Sequence, residues 1–214
     1  MAVPPSSTIA AILSDADPNL ARVIANVGPP PTRRAIRVAD RFGRLAEAIL
    51  HQQLAGAAAA TITRRAREAL GGTLSAGALL AAPQGLLRSC GVSSAKELAL
   101  RDLAQRVDDG RLDLAYLGRH SDDDIITSLS AVKGIGRWTA EMFLMGPLGR
   151  HDIWPVGDLG VRNGFSLIQR KRSVVTPKQL ERLGDPYLPF RSSVAWYCWQ
   201  AVDLARSNGG VLPK

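Results

Sequence analysis

Two short stretches hold the residue types best suited to chemistry. One is Trp154-Pro-Val-Gly-Asp-Leu-Gly-Val-Arg162, in which Asp158 follows a glycine and precedes a helical apolar pattern. An aspartate there caps a helix by accepting a backbone N–H. A carboxylate held in that way can also stabilise positive charge developing in a transition state and orient or deprotonate water. Both readings of Asp158 stay open on this stretch alone. The other is Leu129-Ser-Ala-Val-Lys-Gly-Ile-Gly-Arg-Trp-Thr-Ala140. Gly134 and Gly136 let the backbone turn tightly and leave amides open to an anionic ligand, with Ile135 anchoring the turn in the core. A phosphate can bind such amides without sequence preference. Aromatic residues form a third group: Trp138 lies one helical turn before Met142, and Trp199 sits near Trp196 and Tyr197. Their faces can stack on an electron-poor, cationic ring for about 0.5–2 kcal/mol, or they are ordinary core aromatics.

These residues need a scaffold, and the apolar periodicity is helical almost throughout. Helices are predicted over Asp40–Leu50, Ala55–Leu70, Ser94–Val107, Arg137–Met145 and Leu159–Gln169, with a final one from about Phe190 to Arg206 ending before Asn208-Gly209-Gly210. Gly71-Gly72 ends the second of these, and Gly146-Pro147 stops the fourth. Ser121-Asp-Asp-Asp124 is read as an N-cap with first-turn acids in preference to a metal site. A capped helix is expected to end at Val132, immediately before the glycine turn. The opening MAVPPSSTIA is read as a loose tail. The two termini and the Gly28-Pro29-Pro30-Pro31 linker are expected to be the least ordered parts. With no defensible strand alternation, the fold class is all-α.

At 214 residues the chain can bury a real core as one unit or two small lobes. Lys plus Arg outnumber Asp plus Glu by 27 to 19, a net charge of +8, which favours a polyanionic partner. No run approaches the ~20 apolar residues that span a bilayer, and no secretory signal pattern opens the chain; a cytoplasmic, nucleoid-associated location is expected, without a membrane partner. Cys90 and Cys198 are too few for a four-cysteine zinc or iron–sulfur site and are read as free core thiols.

Helix, Val-Lys-Gly-Ile-Gly, helix is the helix-hairpin-helix pattern of DNA-repair proteins. Followed by Pro-x-Gly-Asp, it resembles the helix-hairpin-helix DNA glycosylase superfamily. The nearest branch is 3-methyladenine DNA glycosylase II (AlkA-like), in a short form lacking the N-terminal β domain. Further similarity lies in Ile49-Leu-His-Gln-Gln-Leu54, Cys90-Gly-Val-Ser-Ser-Ala-Lys-Glu-Leu98 and Pro189-Phe-Arg-Ser192, so that roughly residues 40 to 206 are covered. The resemblance implies two helical lobes, with the hairpin motif and an active site in the cleft between them. It makes Asp158 catalytic, places Trp138, Met142 and Trp199 around an everted base, and makes Gln53 a wedge filling the vacated stack, with Gln52 bracing the active-site loop. Lys133, Gly134, Ile135, Gly136, Arg137 and Thr139 form the implied DNA-binding hairpin. A sodium or potassium ion held by the backbone of Val132, Lys133 and Gly134 is implied there in a binding role. Arg191 and Ser192 are expected either to bind phosphate, to support the Asp158 loop or simply to cap a helix.

Superfamily members that also cut the backbone carry a nucleophilic lysine where this chain has Trp138, and tryptophan forms no Schiff base. The resemblance therefore implies a monofunctional glycosylase that acts as a monomer on damaged double-stranded DNA without a cofactor in its chemistry. Met142 departs from the aromatic often found at its position, which leaves open a runner-up specificity for deaminated, etheno or oxidised bases. A non-catalytic hairpin module would bind DNA without releasing bases. The expected organisation is an N-terminal tail and helices over 1–35, part of one lobe; a helical lobe with the Gln-Gln segment over 36–130; and hairpin, Asp158 loop and C-terminal helix over 131–214. No role follows for His51, His120 or His151.

Overall fold

The computed structural model describes residues 3–209 and Leu212. Among these residues there are twelve α-helices, two 3₁₀ turns and no strand. No helix among them is long and apolar enough to cross a membrane. The chain opens with α1 (Ser6–Ala16) and α2 (Pro18–Val27). Seven helices follow: α3 (Val38–His51), α4 (Gly56–Ala69), α5 (Ala76–Ala81), α6 (Leu86–Ser89), α7 (Ser94–Asp108), α8 (Asp122–Ser130) and α9 (Arg137–Met145). The last three are α10 (Leu159–Ile168), α11 (Pro177–Leu183) and α12 (Arg191–Ser207).

Two compact units emerge. One combines residues up to Arg34 with those from Gly149 onward; the other is Ala35–Leu148. This corrects the expected boundaries. Residues 131–148 belong with 35–130, because the hairpin is tied to its own unit: the Gln52 amide donates to Gly134 O, and the Asp102 carboxylate accepts from Lys133 N–H. The residues before Arg34, for their part, are sewn to the C-terminal half. Asp17 caps α2 by accepting from Asn19 N–H, and its carboxylate also accepts from Tyr187 O–H and the Gln169 amide.

The N-terminal tail needs a second correction. Residues 1 and 2 lie outside the described residues, but α1 starts right after Pro5 and buries Ile9, Ala10 and Leu13. A proline before the first turn costs no intrahelical hydrogen bond, so Pro4-Pro5 sets the start of a helix. Nor does the Gly28 linker hang free. Gly28 ends α2 with φ +78°, and its carbonyl accepts from Tyr197 O–H at 3.0 Å. Gly210, like the outermost C-terminal residues, lies outside the described residues. The Ser121 cap is as read, its hydroxyl accepting from Asp124 N–H, while α8 ends two residues earlier than expected, at Ser130. Both cysteines are free and buried.

In the first unit, α10 lies unusually close to α12. A Cβ added to Gly164 would stand 1.9 Å from Cys198 O, so only glycine lets the backbones approach this far. Phe165 on α10 meets Trp154 and Tyr187 edge-on at 6.1 and 6.3 Å. In the second unit, α3 supplies a fully buried stripe of Leu45, Ala46, Ile49 and Leu50 at helical spacing, and α7 adds Leu100, Leu103 and Ala104.

Candidate functional site

The hairpin turn joins α8 to α9 and is held from below by two side chains. Gln52 Nε2 donates to Gly134 O at 2.7 Å, and Lys133 N–H donates to Asp102 Oδ2 at 2.8 Å. Desolvation raises the Asp102 pKa, but the Lys133 amide and the Arg106 guanidinium outweigh it and hold the carboxyl below the ordinary range. Gly134 has φ +77°, and a Cβ there would press Ala99 Cβ at 3.1 Å, so this position requires glycine twice over. Gly136 has ordinary negative φ and open space around it. Its use is accessibility, not turn geometry, which refines the expectation that both glycines bend the chain. Ile135 is buried as expected, while Lys133, Gly134 and Gly136 are exposed. The carbonyls of Val132 and Gly134 already accept from Ile135 N–H and Gln52, each keeping one lone pair. Together with Lys133 O they are an all-oxygen set of the kind a hard cation takes.

The end of α3 is also pinned. Lys96 Nζ donates to Leu50 O and Gln52 O, both at 2.7 Å, and so satisfies carbonyls at the helix C-terminus. Burial lowers the Lys96 pKa. Beyond Gln52 the chain bends through Gln53, which has φ +56° and an exposed side chain. Left-handed backbone costs a non-glycine residue roughly 1–2 kcal/mol, and such strain clusters at functional positions. Sequence reading recognised the segment around Lys96 but gave that lysine no task, since its acceptors lie 44 and 46 residues away.

On α9, Trp138 is 51% exposed and Met142 half-buried. Met142 lines a cleft of about 330 Å³ with Glu47, His51, Thr139 and Phe143. His51 Nε2 shares a hydrogen bond with Thr63 Oγ1 at 3.0 Å, and Glu47 is paired with Arg44 and Arg67. Thr139 is buried, although it also lines this cleft. On α9 it shares the inward face with Ala140 and Phe143. Arg137 keeps an exposed side chain whose Nε donates to the buried Glu141 carboxylate at 2.9 Å.

In the other unit, Asp158 caps α10 and is only 9% exposed. Its Oδ1 accepts from Val161 N–H at 2.8 Å and from Trp199 Nε1–H at 3.2 Å. The cap reading is therefore right locally, and it fixes the carboxylate in one orientation beside an indole. The structure brings Asp158 and Trp199 together, a pairing that the sequence had not suggested. A Cβ at Gly160 would come within 2.9 Å of Trp199 Cδ1 and 3.0 Å of Asp158 Oδ1. Behind them, burial and then the Asp158 charge push the Cys198 thiol pKa up.

Arg191 and Ser192 support the approach to this corner. Arg191 forms a two-pronged pair with Asp152, both contacts 2.7 Å, and Ser192 Oγ donates to Arg150 O and accepts from Ile153 N–H. Loop support is the role this geometry displays. The guanidinium fork is turned to the Asp152 carboxylate. Trp154 at the loop's end is buried and donates to Leu180 O at 2.8 Å.

Residues 46–189 match the family described as HhH-GPD superfamily base excision DNA repair protein. The chain is 30% identical over 210 residues to DNA-3-methyladenine glycosylase 1 of Schizosaccharomyces pombe, covering 94% of this chain and 90% of that one. Among solved structures, the Schizosaccharomyces pombe 3-methyladenine DNA glycosylase in complex with abasic DNA aligns with a TM-score of 0.80 at 30% identity, over 92% of this chain and 98% of that one. The DNA-3-methyladenine glycosidase of Bacillus halodurans aligns with a TM-score of 0.82 at 30% identity, over 93% and 91%. By sequence and by fold, the chain belongs to the HhH-GPD superfamily of base excision DNA repair proteins.

Proposed function

We propose that this protein is a monofunctional DNA glycosylase that hydrolyses the N-glycosidic bond of alkylated purines, of the 3-methyladenine type, in duplex DNA. The observation that carries the proposal is the Asp158 carboxylate, nearly buried and held by Val161 N–H and the Trp199 indole. Breaking the bond between C1′ and a purine sends the bonding electrons to the base and leaves positive charge on the sugar. The fixed carboxylate stabilises that charge, and water adds at C1′ while Asp158 takes up the proton it loses. A cationic alkylated purine departs as a neutral molecule, so the step needs no general acid, and the product is an abasic site.

The remaining residues take positioning roles in this reading. Backbone amides around Gly134–Arg137 grip a phosphate, and a sodium or potassium ion on the carbonyls of Val132, Lys133 and Gly134 accompanies them. Trp138 and Met142 bind the everted base, Trp199 holds the Asp158 carboxylate, and Gln53 fills the space the base leaves. The strained backbone at Gln53 and its exposed side chain support the wedge. The partner is damaged double-stranded DNA, engaged by one protein molecule at a time. Met142, His51 and Thr139 share one cleft, which favours a second reading in which deaminated or etheno bases are accepted through polar contacts.

The test is incubation with a panel of lesion duplexes, identifying the bases released and treating the mixture with borohydride. Release of 3-methyladenine ahead of hypoxanthine and ethenoadenine is expected, with no trapped protein–DNA adduct. Release of the latter two alone favours the second reading. A trapped adduct overturns the monofunctional assignment, and the absence of any released base overturns the enzyme.

A further inference from the structure

At the far end of α10 from Asp158 lies a pocket of about 390 Å³ between the loop after α10 and helix α11. Ten residues of helix, about 15 Å, separate the two ends. Lys171, Arg172 and Arg182 supply the pocket with cations, Val175 and Leu183 with apolar surface, and no acid lines it. Leu183 in the lining and Val174 outside it are exposed large apolar residues. We propose that this pocket docks an acidic peptide carrying an apolar anchor, a segment of a partner protein.

The pocket is preformed. Arg170 closes α10 with φ +50°, in the left-handed position where glycine is usual, and Lys171 N–H bonds back to Ser166 O at 2.9 Å. Ser166 Oγ accepts from Val175 N–H at 3.0 Å, and Arg162 Nη1 donates to Val175 O at 3.4 Å. The loop is thus tied to α10 at both ends. Opposite it, α11 is held by a reciprocal capping box between Thr176 and Gln179. A peptide docking here therefore meets a wall already ordered, which lowers the entropic cost of binding.

Charge complementarity selects the occupant. Arginine forks match carboxylates in two-point contacts. A DNA backbone would use the cations as well, but it has nothing to place against Val175 and Leu183. A leucine or phenylalanine beside a run of aspartates fills both halves of the pocket. Its occupation leaves the glycosylase residues untouched, so its failure is separate from any failure of the proposed function.

The probe is a fluorescein-labelled Asp-Asp-Glu-Asp-Leu-Phe peptide titrated with the full chain, read by anisotropy. Saturable binding is expected, weakened about tenfold or more by Arg172→Glu with Arg182→Glu. Leu183→Ser is expected to weaken it about threefold. Base release from naked lesion duplexes should match the unaltered protein in both variants. Arg172→Gln with Arg182→Gln serves if the charge-reversed protein melts early. No saturable binding overturns the proposal, as does unchanged affinity in the variants. Equal binding of a peptide ending in two serines reduces the site to general charge attraction. If instead duplex affinity falls with the double variant while the peptide does not bind, the pocket is a phosphate contact.

Discussion

In the hairpin, side chains hold a backbone in place: Gln52 and Asp102 fix the turn, and Gly134 and Gly136 keep side chains out of the way. Around Asp158 the roles are reversed, with the Val161 amide and an indole holding a side chain. In the proposed function, the difference follows from what each region would recognise. A phosphate repeats along every duplex and can be gripped by amides that carry no sequence information. Charge developing at one carbon needs a single carboxylate at one position, and that precision comes from a nearly buried acid with directed donors.

The comparison is broken most severely by Asp158→Asn. The amide keeps the size and one acceptor of the carboxylate but loses its charge. Single-turnover base release is expected to fall about a thousandfold, the scale of removing a preorganised electrostatic group. Affinity for lesion duplexes should stay within about threefold, because the hairpin is intact. Turnover near that of the unaltered protein would remove Asp158 from the chemistry.

Gly134→Ala attacks the other side. Its left-handed backbone costs alanine roughly 1–2 kcal/mol, and the new methyl meets Ala99 at 3.1 Å. Affinity for every duplex, damaged or not, should drop about tenfold, while base release at saturating DNA stays the same. Loss of affinity for lesion duplexes alone would show that the turn reads damage, not backbone.

Gly160→Ala sharpens the contrast with a smaller change. The new methyl meets side-chain atoms, the five-membered ring of Trp199 and Asp158 Oδ1, and no helix backbone. Gly164, one turn further along α10, faces the Cys198 backbone, so a methyl there would force the helices apart. For Gly160→Ala, base release at saturating DNA should fall about tenfold with little change in Tm or DNA affinity, since about 1.4 kcal/mol of transition-state stabilisation corresponds to that factor. An unaltered rate would mean that the Trp199 hydrogen bond does not set the carboxylate's position.

Local features were readable in the chain, and distant ones were not. The bounds Arg137–Met145 follow from a glycine before the helix and Gly146-Pro147 after it, and the Ser121 cap follows from a hydroxyl three residues before Asp124. The hairpin and Asp158 stand out because each is a contiguous pattern. Helix α1 was lost in a tail whose Pro4-Pro5 and Ser6-Ser7 look irregular, although prolines before a first turn permit a helix. Lys96, Asp102 and the Asp152–Arg191 pair act across 31 to 46 residues, joining a side chain to a carbonyl, an amide or an opposite charge. No spacing rule along a helix or turn reports such contacts, since they exist only once the units have folded.

Gln53 stands on neither side of the comparison, because there a strained backbone presents an exposed side chain. Alanine keeps the left-handed strain, so Gln53→Ala isolates the side chain. If that amide fills the stack, affinity for abasic duplex should fall about three- to fivefold, roughly 0.7–1 kcal/mol, with a smaller loss for undamaged duplex. Gln53→Leu should recover much of it, since filling the gap depends on volume more than on polarity. Gln53→Gly relieves the strain while removing the same atoms, so a gain in Tm without recovered affinity would separate the backbone's cost from the side chain's work. Unchanged affinity of the alanine variant for abasic duplex, or a loss of the same size on both duplexes, would strip Gln53 of the wedge and leave the segment from Gln52 onward as a brace for the hairpin alone.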